Sequence, residues 1–168
     1  MEHDYTLTIY SESQFHLLNK LSSMFIRKGI KVLSLNMSES EIEKIYRITI
    51  VVNERKDNVI NLAAQIEKII EVYKCYYSHD DEIIYRQTAL IKISTAALMS
   101  EKKIEKLLED NELRISEIRS DYTILQATGQ VEDINYLVEE LTPLGLTEFV
   151  KGPRITLISS CPGFSIEL

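Results

Sequence analysis

The stretch SESQFHLLNKLSSMFIRKGI, residues 11–30, predicts one helix held between two strands. Its apolar residues recur at steps of three and four, the spacing that places side chains on one face of a helix. They are Leu17, Leu18, Leu21, Met24 and Phe25. Gly29 follows where a helix end favours left-handed backbone, and strand-like segments flank the helix at residues 5–10 and 30–38.

Outward from this helix, the chain continues with the elements that complete a small sheet. Residues 30–38 and 45–53 form a predicted hairpin around the charged turn Glu39-Ser40-Glu41. Asp57 is the predicted N-cap of a second helix, and residues 71–78 are a predicted fourth strand. The order is therefore β-α-β-β-α-β, as in ferredoxin-like folds.

The same order begins again after the polar link at residues 79–82. We predict strands at residues 87–94, 113–118, 122–128, 146–150 and 155–158, a helix opened by Ser100 and a helix from Val131. The sequence thus predicts an α+β fold of two tandem ferredoxin-like βαββαβ domains, residues 1–80 and 81–168. Each domain is expected to be an antiparallel sheet with its helices on one face.

This architecture leaves one face of each sheet without a helix. Two helices cover one side of a four-stranded antiparallel sheet, and the other side meets water, another sheet or a second subunit. A domain of roughly 80 residues also leaves a large share of its surface exposed. We therefore expect a homodimer, formed through sheet edges or exposed sheet faces.

Composition limits the partners that the chain can bind. Its net charge of -7 argues against nucleic acid and against a membrane surface, since both draw affinity from clustered Lys and Arg. No apolar run approaches the roughly 20 residues that cross a bilayer. The first residues, MEHDYTLTIY, are acidic rather than basic, so we expect a cytoplasmic protein.

The sequence lacks the motifs that usually carry catalysis. It contains no GxSxG, GxGxxG, Walker loop or HExxH. The run His79-Asp80-Asp81-Glu82 is interpreted as a solvated linker, because adjacent residues of an extended link point in different directions. Cys75 and Cys161 stand alone and are interpreted as buried or incidental thiols. We predict no catalytic residue, no metal site and no cofactor bound by this chain, and a small enzyme in its own right is the weakest alternative.

The entrance of the first helix, Ser13-Gln14-Phe15-His16, is the candidate binding site. Several backbone N–H groups lack a partner at the start of a helix, which suits the place to a small anion. One interpretation is that Ser13 simply caps the helix. The other is a pocket for the carboxylate of an amino acid, completed by a neighbouring subunit, and both interpretations stay open on the pattern alone.

Several segments resemble one known family. Lys28-Gly29-Ile30 and the following VLSLNMS, residues 32–38, resemble the amino-terminal ACT domain of the regulatory (small) subunit of acetolactate synthase, or acetohydroxyacid synthase. RQTALIKIS at residues 86–94, the segment at 115–141 and PLGLTEFVKGPRITL at 143–157 resemble the second domain of that family. Its usual ending is a glycine-isoleucine-x-glutamate strand and a basic-x-glycine-arginine turn. Gly145-Leu146-Thr147-Glu148 and Lys151-Gly152-Pro153-Arg154 stand in those places.

The resemblance implies a noncatalytic partner of a large subunit that uses thiamine diphosphate, magnesium and usually FAD. That large subunit condenses two pyruvates, or pyruvate with 2-oxobutyrate, at the entry to branched-chain amino acid biosynthesis. The small subunit binds and activates it, and in many members lets valine or another branched-chain amino acid inhibit it. The alternative is a free-standing amino-acid-sensing ACT-domain protein with another partner.

At the helix entrance the chain departs from the family pattern. Typical members carry an asparagine and a glycine there that serve the effector, and a further asparagine after the later glycine; this chain has Ser13, His16 and Lys31 instead. A histidine fills space that a glycine leaves open, and a lysine exchanges an amide for a charge. We predict a remnant effector pocket lined by Ser13, Gln14, Phe15, His16 and Lys31, with valine feedback weakened or altered.

Overall fold

In a computed structural model of the protein, the described residues are 2–12, 15–100, 102–111 and 113–158. The chain forms two compact units. The first contains the residues up to Ile84 and also residues 156–158, and the second is Tyr85–Ile155. Residues 159–168 lie outside the described part, so the extent of the second domain to residue 168 stays a prediction.

The first unit is a four-stranded antiparallel sheet with two helices. Its elements are β1 (His3–Ser11), α1 (Phe15–Lys28), β2 (Lys31–Glu39), β3 (Tyr46–Glu54), α2 (Lys56–Ile66) and β4 (Val72–His79). The strands lie in the order β2, β3, β1, β4, and all neighbours run antiparallel. Along the chain, the elements follow the predicted order β-α-β-β-α-β of a ferredoxin-like domain.

A second sheet repeats this arrangement. Its elements are β5 (Ile83–Ser94), α3 (Thr95–Ser100), α4 (Lys102–Asp110), β6 (Arg114–Ile118), β7 (Tyr122–Gly129), α5 (Val131–Leu141), β8 (Leu146–Lys151) and β9 (Ile155–Ile158). The strand order is β6, β7, β5, β8, and β9 also pairs with β5. The α+β prediction of two consecutive βαββαβ units is confirmed.

Each unit has its own apolar core, built from the inward faces of its helices and of its sheet. In the first, α1 buries Leu17, Leu21 and Phe25, which belong to the predicted helical stripe. They join a cluster with Leu7 and Ile9 of β1. In the second, five side chains from the helices form a cluster with Ala89, Ile91 and Ile93 of β5. They are Ile104, Leu107, Ile134, Leu137 and Leu141. The helical spacing read from the sequence therefore identifies the faces that pack on the sheets.

The end of α1 takes the predicted form. Gly29 has φ +64°, and the Ile30 N–H donates to the Phe25 carbonyl at 3.0 Å. This six-to-one bond is the mark of a Schellman end, which needs left-handed backbone at the residue after the helix. The expected role of Gly29 is confirmed.

Two helix starts differ from the prediction. α2 begins at Lys56 with Arg55 as N-cap, so Asp57 lies inside the first turn and is not the N-cap. Glu54 Oε1 accepts from the Arg55 N–H and from Asn58 Nδ2. Ser100 does not open a helix but ends α3, where its hydroxyl donates to the Ala96 carbonyl at 2.9 Å. The short helix α3 was missed, although its alanines, leucine and methionine are good helix formers.

The two sheets differ in how their helix-free faces are covered. In β5, Ala89 and Ile91 are buried while Thr88 and Leu90 are exposed, so only one face is covered. In the first sheet, Thr6 and Thr8 of β1 are buried although they alternate with the core residues. The helix-free face is therefore exposed at β5 of the second sheet and buried at β1 of the first.

Candidate functional site

The predicted pocket residues lie at two ends of the first sheet. Phe15 and His16 begin α1, and both side chains are exposed. Lys31 begins β2, where it is also exposed. Ser13 and Gln14 lie outside the described residues. The structure thus gives positions for three of the five predicted residues.

Lys31 lies far from the entrance of α1. It pairs with Asn53 of β3, and Asn53 pairs with Asp4 near the start of β1. The entrance of α1 follows Ser11, which is seven residues further along β1. At roughly 3.3 Å per residue, these two levels of the sheet are about 23 Å apart. One chain therefore does not bring Lys31 together with Phe15 and His16.

His16 takes part in an ionic network around Glu71, which precedes β4. Its Nδ1 lies 2.8 Å from Glu71 Oε1. Lys20 Nζ donates to both carboxylate oxygens of Glu71, at 2.8 Å each. The Glu71 side chain is only 16% exposed, against 67% for His16. The imidazole that replaces the family glycine is thus engaged by a carboxylate of the same chain.

The backbone of Glu71 also bonds the residues that lead from β1 to α1. Its carbonyl accepts from the Ser11 hydroxyl at 2.7 Å and from the Glu12 N–H at 3.1 Å. The Lys20 ammonium, the backbone N–H of Glu71 and His16 lower the pKa of the Glu71 carboxyl to about 2. Glu71 is therefore ionised at neutral pH, and it is held by both its side chain and its backbone.

Sequence reasoning missed Lys20 and Glu71. Lys20 stands four residues after His16, so their side chains share one face of α1, and this spacing could have been noticed. Glu71 is 55 residues from His16, and no local pattern joins them. Only the pairing of β1 with β4, which sets Ser11 opposite Val72, brings Glu71 to the loop.

The polar run at residues 79–82 has a structural role. His79 ends β4, and the next three residues form a 3-10 turn. The His79 N–H donates to Glu82 Oε2 at 2.8 Å, and His79 Nδ1 lies 3.1 Å from Asp81 Oδ2. In the described part of the chain, no group of three or more His, Cys, Asp or Glu residues could hold a metal ion. Cys75 is buried, and this burial raises the pKa of its thiol, whereas Cys161 lies outside the described residues.

The closing motif of the second unit is held on β5. The Gly152 N–H donates to the Thr88 carbonyl at 2.8 Å, and Gln87 Nε2 donates to the Gly152 carbonyl at 2.9 Å. Arg154 is buried, with its guanidinium carbon 4.3 Å from the centre of the Tyr85 ring. The turn therefore has a packing role in the second unit.

Two surface cavities are lined by described residues other than those at the start of α1. One of about 310 Å³ is lined by Lys28, Ile30, Glu54, Asn58, Asn61 and Gln65. Another of about 310 Å³ lies in the second unit, beside Asp110, Gly129 and Asp133. Neither includes Phe15, His16 or Lys31. Among the described helices, none has the length and apolar character needed to cross a membrane.

Comparisons with known proteins cover both halves of the chain. Residues 14–75 match the ACT domain, and residues 86–160 match the small subunit of acetolactate synthase. The acetolactate synthase small subunit of Bacillus subtilis is 29% identical over 147 residues, covering 87% of this chain and 84% of that protein. The same-named protein of Mycolicibacterium smegmatis is 27% identical, covering 91% and 89%.

A solved structure agrees with the fold. The acetolactate synthase small subunit of Thermotoga maritima superposes with a TM-score of 0.81 at 19% identity, covering 93% of this chain and 97% of that one. The tandem order of domains thus appears both in the fold and in the two family matches. In both of its halves and in its fold, the chain is thus similar to acetolactate synthase small subunits.

Proposed function

We propose that this chain is the noncatalytic regulatory subunit that binds and activates the large subunit of acetolactate synthase in the cytoplasm. The match of both halves, in order, to an ACT domain and to a small-subunit domain supports this role. The large subunit would carry thiamine diphosphate, magnesium and FAD and perform the condensation. This chain would act by favouring the active conformation of its partner.

Such a subunit works through a difference in affinity. Binding more tightly to the active than to the inactive conformation shifts the population toward the active one. A coupling free energy of about 1–3 kcal/mol corresponds to a change of roughly 5- to 150-fold in the ratio of the two states. No reacting group on the small subunit is needed for this effect.

We further propose a homodimer formed along the β2 edge. β2 is an outer strand of the first sheet, and Val32, Leu33 and Leu35 on it are 38–44% exposed. Antiparallel pairing of two β2 strands would set the start of one beside the end of the other. Because Glu39 at the end of β2 is level with Ser11, this pairing would bring Lys31 of one copy toward the α1 entrance of its partner.

Valine feedback is proposed to be weakened or altered. His16 and Lys31 replace the small or uncharged residues of the family, and Glu71 already engages His16. Calorimetric titration of the isolated subunit should therefore show no micromolar binding of valine. The triple variant Ser13→Asn, His16→Gly and Lys31→Asn restores the family residues and should gain valine binding. Micromolar binding by the unmodified protein would contradict this part of the proposal.

The decisive test is an activity assay of the large subunit from the same organism. Acetolactate formation should rise and saturate as this chain is added, and the chain alone should form none. Addition of each branched-chain amino acid then identifies any effector. No rise in activity, with copurification of a different partner, would instead favour a free-standing amino-acid-sensing ACT protein.

A further inference from the structure

We propose that His16 and Lys20 form a carboxylate-binding site that the chain fills with its own Glu71, and that a free carboxylate ligand binds there only when Glu71 is absent or displaced. The inference rests on the proposed effector pocket for its regulatory meaning. Its chemistry rests on the first unit alone.

The geometry is that of a bound ligand. Lys20 Nζ lies 2.8 Å from each Glu71 oxygen, and His16 Nδ1 lies 2.8 Å from one of them. Charge-assisted bonds of this length are the strong kind, and three of them converge on one carboxylate. A separate molecule with the same group, such as an amino acid or a small organic acid, would meet the same two donors.

The second unit indicates that the fold does not need this carboxylate. Gly145 precedes β8 as Glu71 precedes β4. The Gly145 carbonyl accepts from the Ser94 N–H at 3.2 Å, while the Glu71 carbonyl accepts from the Glu12 N–H at 3.1 Å. The shared contact uses the backbone only. The Glu71 side chain is therefore an addition. Its removal should leave the bond from the Glu12 N–H to the carbonyl of residue 71 in place.

A tethered carboxylate competes with any free one. Groups held together within one molecule face each other at an effective concentration of roughly millimolar or higher, and the pairing of β1 with β4 holds Glu71 beside His16 and Lys20 in this way. A free amino acid at micromolar concentration therefore cannot displace Glu71 unless it gains further contacts. This competition gives a physical reason for weak feedback, in addition to the lost glycine.

The test uses the full-length protein and acetate as the probe. In the variant Glu71→Ala, acetate should bind saturably and shift the NMR signals of His16, with a dissociation constant at least tenfold lower than in the unmodified protein. Sodium chloride at equal ionic strength should give no such response. Glu41→Ala is the matched control. Glu41 lies 2.7 Å from a single basic side chain, Arg47, so its removal does not free a pair of side chains that could hold acetate. Adding Lys20→Met to Glu71→Ala should abolish the acetate response.

A second measurement does not depend on any variant. In the unmodified protein, the NMR signal of the Glu71 carboxyl carbon should titrate well below the ordinary glutamate range. Titration in the ordinary range, or equal acetate binding with and without Glu71, would overturn the inference. Valine should then be tested on Glu71→Ala in place of acetate. Failure of either measurement leaves activation of the large subunit untouched, because that activity is assayed separately.

Discussion

The two units differ in the residue that stands at the same place, directly before β4 in the first unit and before β8 in the second. In the first, the residue before the last strand is Glu71, whose carboxylate reaches His16 and Lys20. In the second it is Gly145, with φ +101°, where an added Cβ would lie 3.1 Å from Ala97 Cβ. Both carbonyls accept a bond from the end of the first strand. The fold fixes the carbonyl, while the space around it decides whether a side chain can be present at all.

The helix entrances differ in the same way. In the second unit, Thr95 Oγ1 donates to the Arg119 carbonyl at 2.8 Å and lies 2.9 Å from Thr123 Oγ1. These contacts are neutral and close the entrance onto the neighbouring hairpin. In the first unit, ionisable groups hold the entrance. The comparison indicates that the second entrance is structural, while the first can respond to charge.

The largest effect is expected from emptying either core. Leu62→Ala on α2 and Leu137→Ala on α5 remove side chains that are 0% and 3% exposed in separate apolar clusters. Each should cost about 2–5 kcal/mol of unfolding free energy, measured by denaturant titration. Hydrogen exchange should speed up mainly in the unit that carries the substitution. Equal acceleration in both units would show that the two cores are not separate.

The next largest effect is expected at Gly145, the residue before β8. Gly145→Ala should cost about 1–3 kcal/mol, because the backbone is left-handed and the new Cβ crowds Ala97. Gly29→Ala is the matched control, since Gly29 is also left-handed but has nothing within 4 Å of an added Cβ. Thermal unfolding should show a larger loss for Gly145→Ala. Equal losses would mean that the contact with Ala97 relaxes without cost.

A smaller effect is expected at the neutral entrance. Thr95→Val removes the hydroxyl that bonds Arg119 and Thr123, and should cost about 0.5–1.5 kcal/mol. The control is Thr88→Val, which removes an exposed hydroxyl lying 3.3 Å from Thr128 Oγ1. Chemical denaturation should show little change for the control. An unchanged midpoint for Thr95→Val would remove the structural role of this entrance.

The smallest effect at neutral pH, but the one with a pH signature, is expected at Glu71. Its pKa is about 2, below the usual value of 4.5, so its interactions stabilise the folded protein above pH 4.5. This contribution is lost as the pH falls from about 4.5 toward 2. The unfolding midpoints of the unmodified protein and of Glu71→Gln should therefore differ at neutral pH and converge in acid. A difference that grows in acid has the wrong sign and would refute the assignment.

Much of the fold follows from local pattern. The apolar spacing in α1 and the left-handed Gly29 could be predicted because they depend on residues close in sequence. The start of α2 could not, since the helix begins at Lys56, before Asp57, and the Arg55 carbonyl accepts from the Asn58 and Val59 N–H groups. In the candidate site, the place of Phe15 and His16 at the start of α1 could be predicted from the helical pattern. The roles of Lys20 and Glu71 could not be predicted, because Glu71 is 55 residues from His16 and no local pattern joins them.

By itself, the sequence determined the repeated order of strands and helices, the faces that enter the cores, and the likeness to acetolactate synthase small subunits. These depend on periodicity and on motifs, which neighbouring residues carry. Only the tertiary structure decided that Lys31 lies at the far end of the sheet from His16, and that Glu71 contacts His16 and Lys20 of α1. Strand pairing sets both results, because it alone fixes which residues distant in sequence come within bonding distance.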